Sequence, residues 1–113
     1  MAPAEESLRA ELADVRAQVG RLRRDIAEVV AASEGSNADD EHDPEGATIG
    51  FERAQLAALL DAARRREADV ERALAQVREG GYGRCERCGG PIGTERLATR
   101  PSTRRCVACA AQR

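Results

Sequence analysis

Residues 8–29 read LRAELADVRAQVGRLRRDIAEV and carry the clearest structural pattern in the chain. Its large apolar residues follow one another in alternating steps of four and three: Leu8, Leu12, Val15, Val19, Leu22, Ile26 and Val29. This is an unbroken a/d heptad pattern, which predicts a helix with a coiled-coil seam. Arginines and carboxylates fill the outer positions, as they do on a solvated helix face. We therefore expect a first helix over residues 5–33.

A second helix with a matching seam is predicted over residues 48–79. Its apolar residues recur every seven positions, with two leucines each four residues after a member of that series: Ile49, Leu56, Ala63, Val70, Val77, and then Leu60 and Leu74. The seam weakens where Arg66 and Glu67 fall. Two helices of similar length joined by a short polar segment favour an antiparallel hairpin. The alternative is a parallel homodimer through the first helix.

The connecting segment, residues 33–46, reads SEGSNADDEHDPEG and has no large apolar side chain. Its Gly, Ser, Asn and Pro residues predict a turn. Asp43, Pro44 and Glu45 also have the order of an N-cap, a first helical position and a first-turn acid, so a helix can start there. We place an acidic tip at residues 34–47, with the carboxylates Asp39, Asp40, Glu41, Asp43 and Glu45.

Two readings compete with a functional tip. Runs of charge are usually solvated loops with no further role. Direct metal binding by Asp39, Asp40, Asp43 and His42 is disfavoured, because the run DDEHDPEG lacks the ligand order of an EF-hand loop.

The last 29 residues hold all four cysteines, Cys85, Cys88, Cys106 and Cys109, in the pattern C-x2-C-x17-C-x2-C. Each C-x2-C turn presents two thiolates, and two such turns facing each other complete a tetrahedral Zn²⁺ site. Four thiolates leave no open position, so the zinc is predicted to be structural. Disulfides need an oxidising compartment, and nothing signals export; iron remains an alternative metal. We expect Tyr82, Ile92 and Leu97 to cover the metal.

Gly80 and Gly81 are typical of a helix end. We therefore divide the chain into a coiled-coil hairpin, residues 1–80, and a four-cysteine zinc finger, residues 81–113. The fold class predicted is mainly α.

Composition limits the function. Among 113 residues, 42% are hydrophobic but only 2% are aromatic, and much of the apolar content is alanine. Such a chain cannot form a thick core around a typical catalytic pocket, so we do not expect an enzyme. No apolar run approaches the ~20 residues of a membrane span. The acidic start MAPAEESLRAEL does not resemble a signal peptide, so we expect a cytoplasmic protein without membrane association.

The net charge of −2 conceals a marked asymmetry. Residues 1–48 carry twelve acids against five arginines, a balance of −7, whereas residues 49–113 carry thirteen arginines against eight acids, a balance of +5. Two halves of opposite sign predict two contact surfaces.

The residues around the cysteines resemble the zinc finger of the DksA/TraR family. The resemblance is carried by the run YGRCERCG at residues 82–89, and then by Ile92-Gly93, Arg96-Leu97, Arg100-Pro101 and the run CVAC at residues 106–109. It implies a non-enzymatic transcription regulator that binds RNA polymerase. Family members insert the tip of a coiled coil into the secondary channel of the polymerase and alter open-complex stability through acidic tip residues.

The resemblance also bears on individual residues. The family's Asp-x-x-Asp-x-Ala tip falls, counting back from Cys85, on His42, Glu45 and Ala47; a one-residue shift puts Asp43 and Gly46 at the two Asp positions. Family members bind ppGpp through basic residues near the finger and the second helix. Arg65 and Arg100 match such positions, whereas the other basic positions are occupied by Ala62, Asp69 and Ala110. Our docking candidates are Arg65, Arg87, Arg96 and Arg100.

Two other functions remain open. A zinc ribbon with this many arginines can contact nucleic-acid phosphates, and the first heptads can hold an oligomeric scaffold. With one aromatic residue near the finger, base stacking has little support. We therefore favour protein docking, do not expect direct DNA binding, and expect a monomer.

Overall fold

Four helices make up the architecture of the computed structural model, which describes residues 2–35 and 44–112. They are α1 (Ala2–Gly35), α2 (Pro44–Glu79), α3 (Thr94–Thr99) and α4 (Val107–Ala110). Within these residues no strand forms, and one isolated antiparallel bridge joins Arg84 and Pro91. The predicted fold class, two long helices followed by a four-cysteine finger, is confirmed. No helix in the described part of the chain is both long and apolar enough to cross a membrane.

Both long helices extend beyond their predicted bounds. Helix α1 starts three residues earlier than predicted. The carboxylate of Glu5 in its first turn interacts favourably with the positive end of the helix dipole, and it also pairs with Arg9 at 2.8 Å. Helix α2 starts at Pro44 rather than at residue 48. Proline suits the first helical position because its missing N–H has no intrahelical partner there. The Asp-Pro-Glu order therefore marks the helix start better than the apolar periodicity does.

The chain divides into two compact units. We call Met1–Asp14 together with Arg66–Arg113 the finger unit, and Val15–Arg65 the helical unit. The predicted division at residue 80 stays a prediction.

In the finger unit, the start of α1 packs on the last third of α2. Leu8 is fully buried against Val70, Ala73 and Leu74. One turn further along α1, Glu11 accepts a hydrogen bond from Arg66, which lies one turn earlier on α2, at 3.2 Å. Later residues of α1 thus meet earlier residues of α2, which is the antiparallel pairing of a helical hairpin. The Arg66–Glu11 pair lies where the apolar seam is interrupted.

The helical unit contains the rest of the predicted seam. Val15, Val19 and Leu22 of α1 and Ala63 of α2 are buried. The remaining seam residues are half-buried: Ile26, Val29, Ile49, Leu56 and Leu60. The heptad register read from the sequence is therefore the one that the helices use.

The end of α2 directs the chain into the finger. Gly80 has a φ of 83°, a left-handed conformation that glycine adopts without strain. Its N–H bonds to the Val77 carbonyl at 3.4 Å, and the Gly81 N–H bonds to the Gln76 carbonyl at 2.9 Å. This is a Schellman pattern, and it ends the helix where the two glycines predicted an end.

Candidate metal centre

The first cysteine turn is closed by backbone hydrogen bonds. The Cys85 N–H bonds to the Gly90 carbonyl at 2.8 Å, and the Gly89 N–H returns to the Cys85 carbonyl at 3.0 Å. Gly89 has a φ of 74°, which the sharp reversal after Cys88 requires. The Gly90 N–H then points at Cys88 Sγ, 3.4 Å away. A backbone donor directed at the sulfur is the outer-shell contact expected around a metal thiolate.

The second cysteine turn opens α4. Cys106 is its N-cap residue with an extended backbone, and the Ala110 N–H bonds to the Cys106 carbonyl at 2.9 Å. One helical turn then carries Cys109 to the same side as Cys106. Cys109 is buried, whereas Cys88 is exposed.

The four thiols fit a tetrahedral zinc ion. All four Sγ atoms lie within 4.8 Å of one another, and Cys88 Sγ is 3.9 Å from Cys106 Sγ. A tetrahedron with Zn–S bonds of about 2.3 Å has sulfur–sulfur edges of about 3.8 Å. The side chains are therefore placed where one zinc ion needs them, without rearrangement of the backbone. A four-thiolate site has no position for a reacting water, so the metal stabilises the finger and does not catalyse.

The thiols differ in acidity because they share hydrogen bonds. The backbone N–H groups of Cys88 and then of Cys106 lower the pKa of Cys85 to about 6. Hydrogen bonding to the Cys106 side chain, followed by burial, raises the pKa of Cys109 to about 12. Zinc binds thiolates, so its entry must displace the protons that such a cluster retains.

Two of the three residues predicted to cover the metal do so. Ile92 is buried with Cys85 and Cys109, and Leu97 packs against this group. Tyr82 is a correction, because its ring packs against the Leu8 cluster of the hairpin. Its hydroxyl donates to the Pro101 carbonyl at 2.8 Å. Tyr82 lies three residues after the end of α2, so it is still close to the helices and packs on them rather than on the cysteines.

The docking candidates have different surroundings. Arg87 is exposed inside the first cysteine turn, and Arg100 is exposed at the end of α3. Arg65, in the helical unit, is exposed and pairs with Asp61 at 3.6 Å. Arg96 instead turns inward, since its guanidinium donates to Thr103 and to the backbone of Arg105.

Sequence reasoning missed two ion pairs within the finger unit, one between the finger and α2 and one between two residues of the finger. Arg104 pairs with Asp69, and Arg105 pairs with Glu86 at 3.1 Å. No spacing rule identifies pairs that lie 35 and 19 residues apart, because the turn geometry of the finger decides them. An open groove of about 980 Å³ lies beside these pairs. It is lined by four arginines and two acids, among other residues: Arg66, Arg96, Arg104, Arg105, Glu11 and Asp69.

The predicted tip is largely beyond what the structure describes. Asp39, Asp40, Glu41 and Asp43 lie outside the described residues. Glu45 belongs to the first turn of α2, and its side chain also lies outside the described part. The tip residues therefore stay predictions.

Comparison with known proteins shows what this site resembles. Residues 80–113 match the family model of the prokaryotic dksA/traR C4-type zinc finger. A stretch of 42 residues is 45% identical to an uncharacterized protein of Aquifex aeolicus (strain VF5), covering 37% of this chain and 29% of that relative. The chain therefore spans less than a third of that relative's length.

The fold also matches a solved structure, that of transcription factor DksA2 from Pseudomonas aeruginosa. The match covers 95% of this chain and 77% of that one, with a TM-score of 0.78 and 20% sequence identity. The resemblance stated from the sequence is thereby confirmed, and so is the structural zinc that the cysteine spacing predicted.

Proposed function

Because residues 80–113 are a DksA/TraR C4-type zinc finger on a DksA-like fold, we propose that this protein is a transcription regulator of that type. It binds RNA polymerase and modulates initiation through the acidic tip of its helical hairpin. It acts by binding and not as an enzyme, and it works in the cytoplasm. The observation that carries the proposal is the combination of a finger and a helical hairpin in one chain.

The charge distribution supports a tip that acts inside the polymerase. The carboxylates assigned to the tip are Asp39, Asp40, Glu41, Asp43 and Glu45, in the half of the chain with a balance of −7. A polymerase active centre holds Mg²⁺ and is approached through a basic channel, which attracts a carboxylate cluster. The tip departs from the family's Asp-x-x-Asp-x-Ala pattern, so its effect on transcription needs its own measurement.

The second candidate function is nucleic-acid binding by the finger, and the contacts of its arginines disfavour it. Phosphate binding needs guanidinium groups that are available to a ligand. Arg96, Arg104 and Arg105 are instead engaged with groups of the protein itself. The exposed Arg87 and Arg100 remain as candidates for docking on a protein surface.

The test uses the zinc-loaded protein and its cognate RNA polymerase. We expect the protein to co-purify with polymerase, to leave random DNA unbound, and to change transcript yield in vitro. Asp43→Asn with Glu45→Gln should retain polymerase binding and lose the effect on transcripts. Glu52→Gln is a matched control, because it neutralises a carboxylate on exposed α2 outside the tip.

Each outcome decides one part of the proposal. Absence of polymerase binding, together with salt-dependent binding to random DNA, would replace the proposal by the nucleic-acid alternative. An unchanged effect of the neutral tip would refute the tip mechanism and leave polymerase binding in place. Parallel reactions with and without ppGpp decide whether the alarmone alters the effect on transcripts.

A further inference from the structure

We propose that Arg96 is a positioning residue of the zinc centre, which holds the segment that delivers Cys106 to the metal. Arg96 was a candidate for docking on a partner. Its guanidinium contacts this protein instead, at Thr103 and at the backbone of Arg105, which directly precedes the second cysteine turn. The inference concerns the metal site alone and does not depend on the proposed function.

The contacts of Arg96 form a two-point brace. Its Nε donates to the Arg105 carbonyl oxygen at 2.8 Å, and its terminal nitrogen donates to Thr103 Oγ1 at 3.2 Å. Thr103 Oγ1 in turn donates to the same Arg105 carbonyl at 3.3 Å. That carbonyl belongs to the peptide group that leads directly into Cys106. Arg96 therefore restrains the backbone at the point where the second pair of ligands begins.

The same segment is held from its other side by the first cysteine turn. The Glu86 N–H bonds to the Arg104 carbonyl at 2.9 Å, and Arg105 Nε donates to Glu86 Oε1 at 3.1 Å. Residues 103–105 belong to no helix or strand, so they depend on contacts such as these, together with the Arg104–Asp69 pair and the bond from the Thr103 N–H to the Arg100 carbonyl. The brace thus relates the two halves of the zinc site to each other.

An arginine suits this role for a geometric reason. Its planar guanidinium presents several N–H donors in a rigid fork, so one side chain can reach a carbonyl and a hydroxyl at once. Lysine retains the charge but not the fork. A charge-dependent docking role would therefore tolerate Arg96→Lys, whereas a positioning role would not.

The test compares Arg96→Lys and Arg96→Ala with Arg100→Ala, a matched loss of one arginine charge four residues away. Zinc affinity is measured by competition with a chromophoric chelator, and Co²⁺ replaces zinc to report tetrahedral thiolate coordination by its visible spectrum. We expect both Arg96 variants to lose about 10-fold in metal affinity, the low end of the range for outer-shell changes, because Arg96 acts on Cys106 through the preceding peptide group. Arg100→Ala should bind metal as the parent protein does.

Wild-type metal affinity in Arg96→Lys, and a Co²⁺ spectrum unchanged in Arg96→Ala, would overturn the proposal. Should Arg96→Ala fail to fold, Thr103→Val supplies an independent measurement, since it removes one of the two acceptors and leaves the arginine in place. It should weaken zinc binding in the same direction by a smaller factor. Unaltered affinity in that variant together with Arg96→Lys would return Arg96 to the docking candidates.

Discussion

Leu8 is the residue whose truncation should weaken the hairpin most clearly. It is fully buried against Val70, Ala73 and Leu74 in the finger unit. Leu8→Ala removes three carbons, worth about 2.4 kcal/mol at ~0.8 kcal/mol each, and the residual cavity adds to this loss. Leu8 lies in the second turn of α1, where the helix can partly collapse into the space. We therefore expect a loss of about 3 kcal/mol, near the lower end of measured Leu→Ala values.

The matched control is Leu59→Ala, because Leu59 is 53% exposed. About half of its surface is already in water, so its truncation should cost under about 1 kcal/mol. Urea unfolding of the zinc-loaded proteins, followed by far-ultraviolet circular dichroism, measures both losses. Unchanged slopes with denaturant would show that the midpoint shifts report stability. Equal losses in the two variants would refute the packing of Leu8 as a source of hairpin stability.

Two further predictions concern the junction after α2. Burial, and then the charge of Glu11, raise the pKa of Tyr82, so the only tyrosine of this tryptophan-free chain should titrate above pH ~10 when folded and near ~10 in urea. The stability it contributes is complete below pH ~10 and is lost as the pH rises through the folded-state pKa; a tyrosinate absorbance midpoint that is identical in both states would contradict this. Gly80→Ala should lower the free energy of unfolding by about 1–2 kcal/mol, because Gly80 has a positive φ. Gly81 has an ordinary φ and open space around it, so Gly81→Ala should cost far less in the same unfolding assay. Similar costs in the two variants would refute the role of the left-handed cap.

The helices were predictable because their signals are local. A heptad seam depends only on the spacing of Leu and Val, and the Schellman end depends on two adjacent glycines. Apolar spacing put the start of α2 four residues late because it cannot register the polar first turn, whereas the order Asp43-Pro44-Glu45 indicated a start at Pro44. Ala73 was missed as a buried residue because alanine is also abundant on the exposed face of α2.

The candidate site was predictable only in part. The spacing of Cys85, Cys88, Cys106 and Cys109 specifies a four-thiolate centre, because the chemistry of zinc demands those ligands. The contacts of the residues around the centre could not be predicted from the cysteine spacing. Tyr82 was assigned to the metal and belongs to the hairpin, and Arg96 was assigned to a partner and contacts its own backbone.

Local signals in the sequence were enough to predict two helices with matching apolar seams and a zinc-binding finger, because heptads, caps and cysteine spacing act over a few residues. The tertiary structure decided which arginines are engaged within the protein and which remain available. Pairs such as Arg104 with Asp69 and Arg96 with the Arg105 carbonyl depend on where the folded finger places each guanidinium. The partner of a long, flexible side chain cannot be predicted from the local sequence, because it depends on how the surrounding backbone folds.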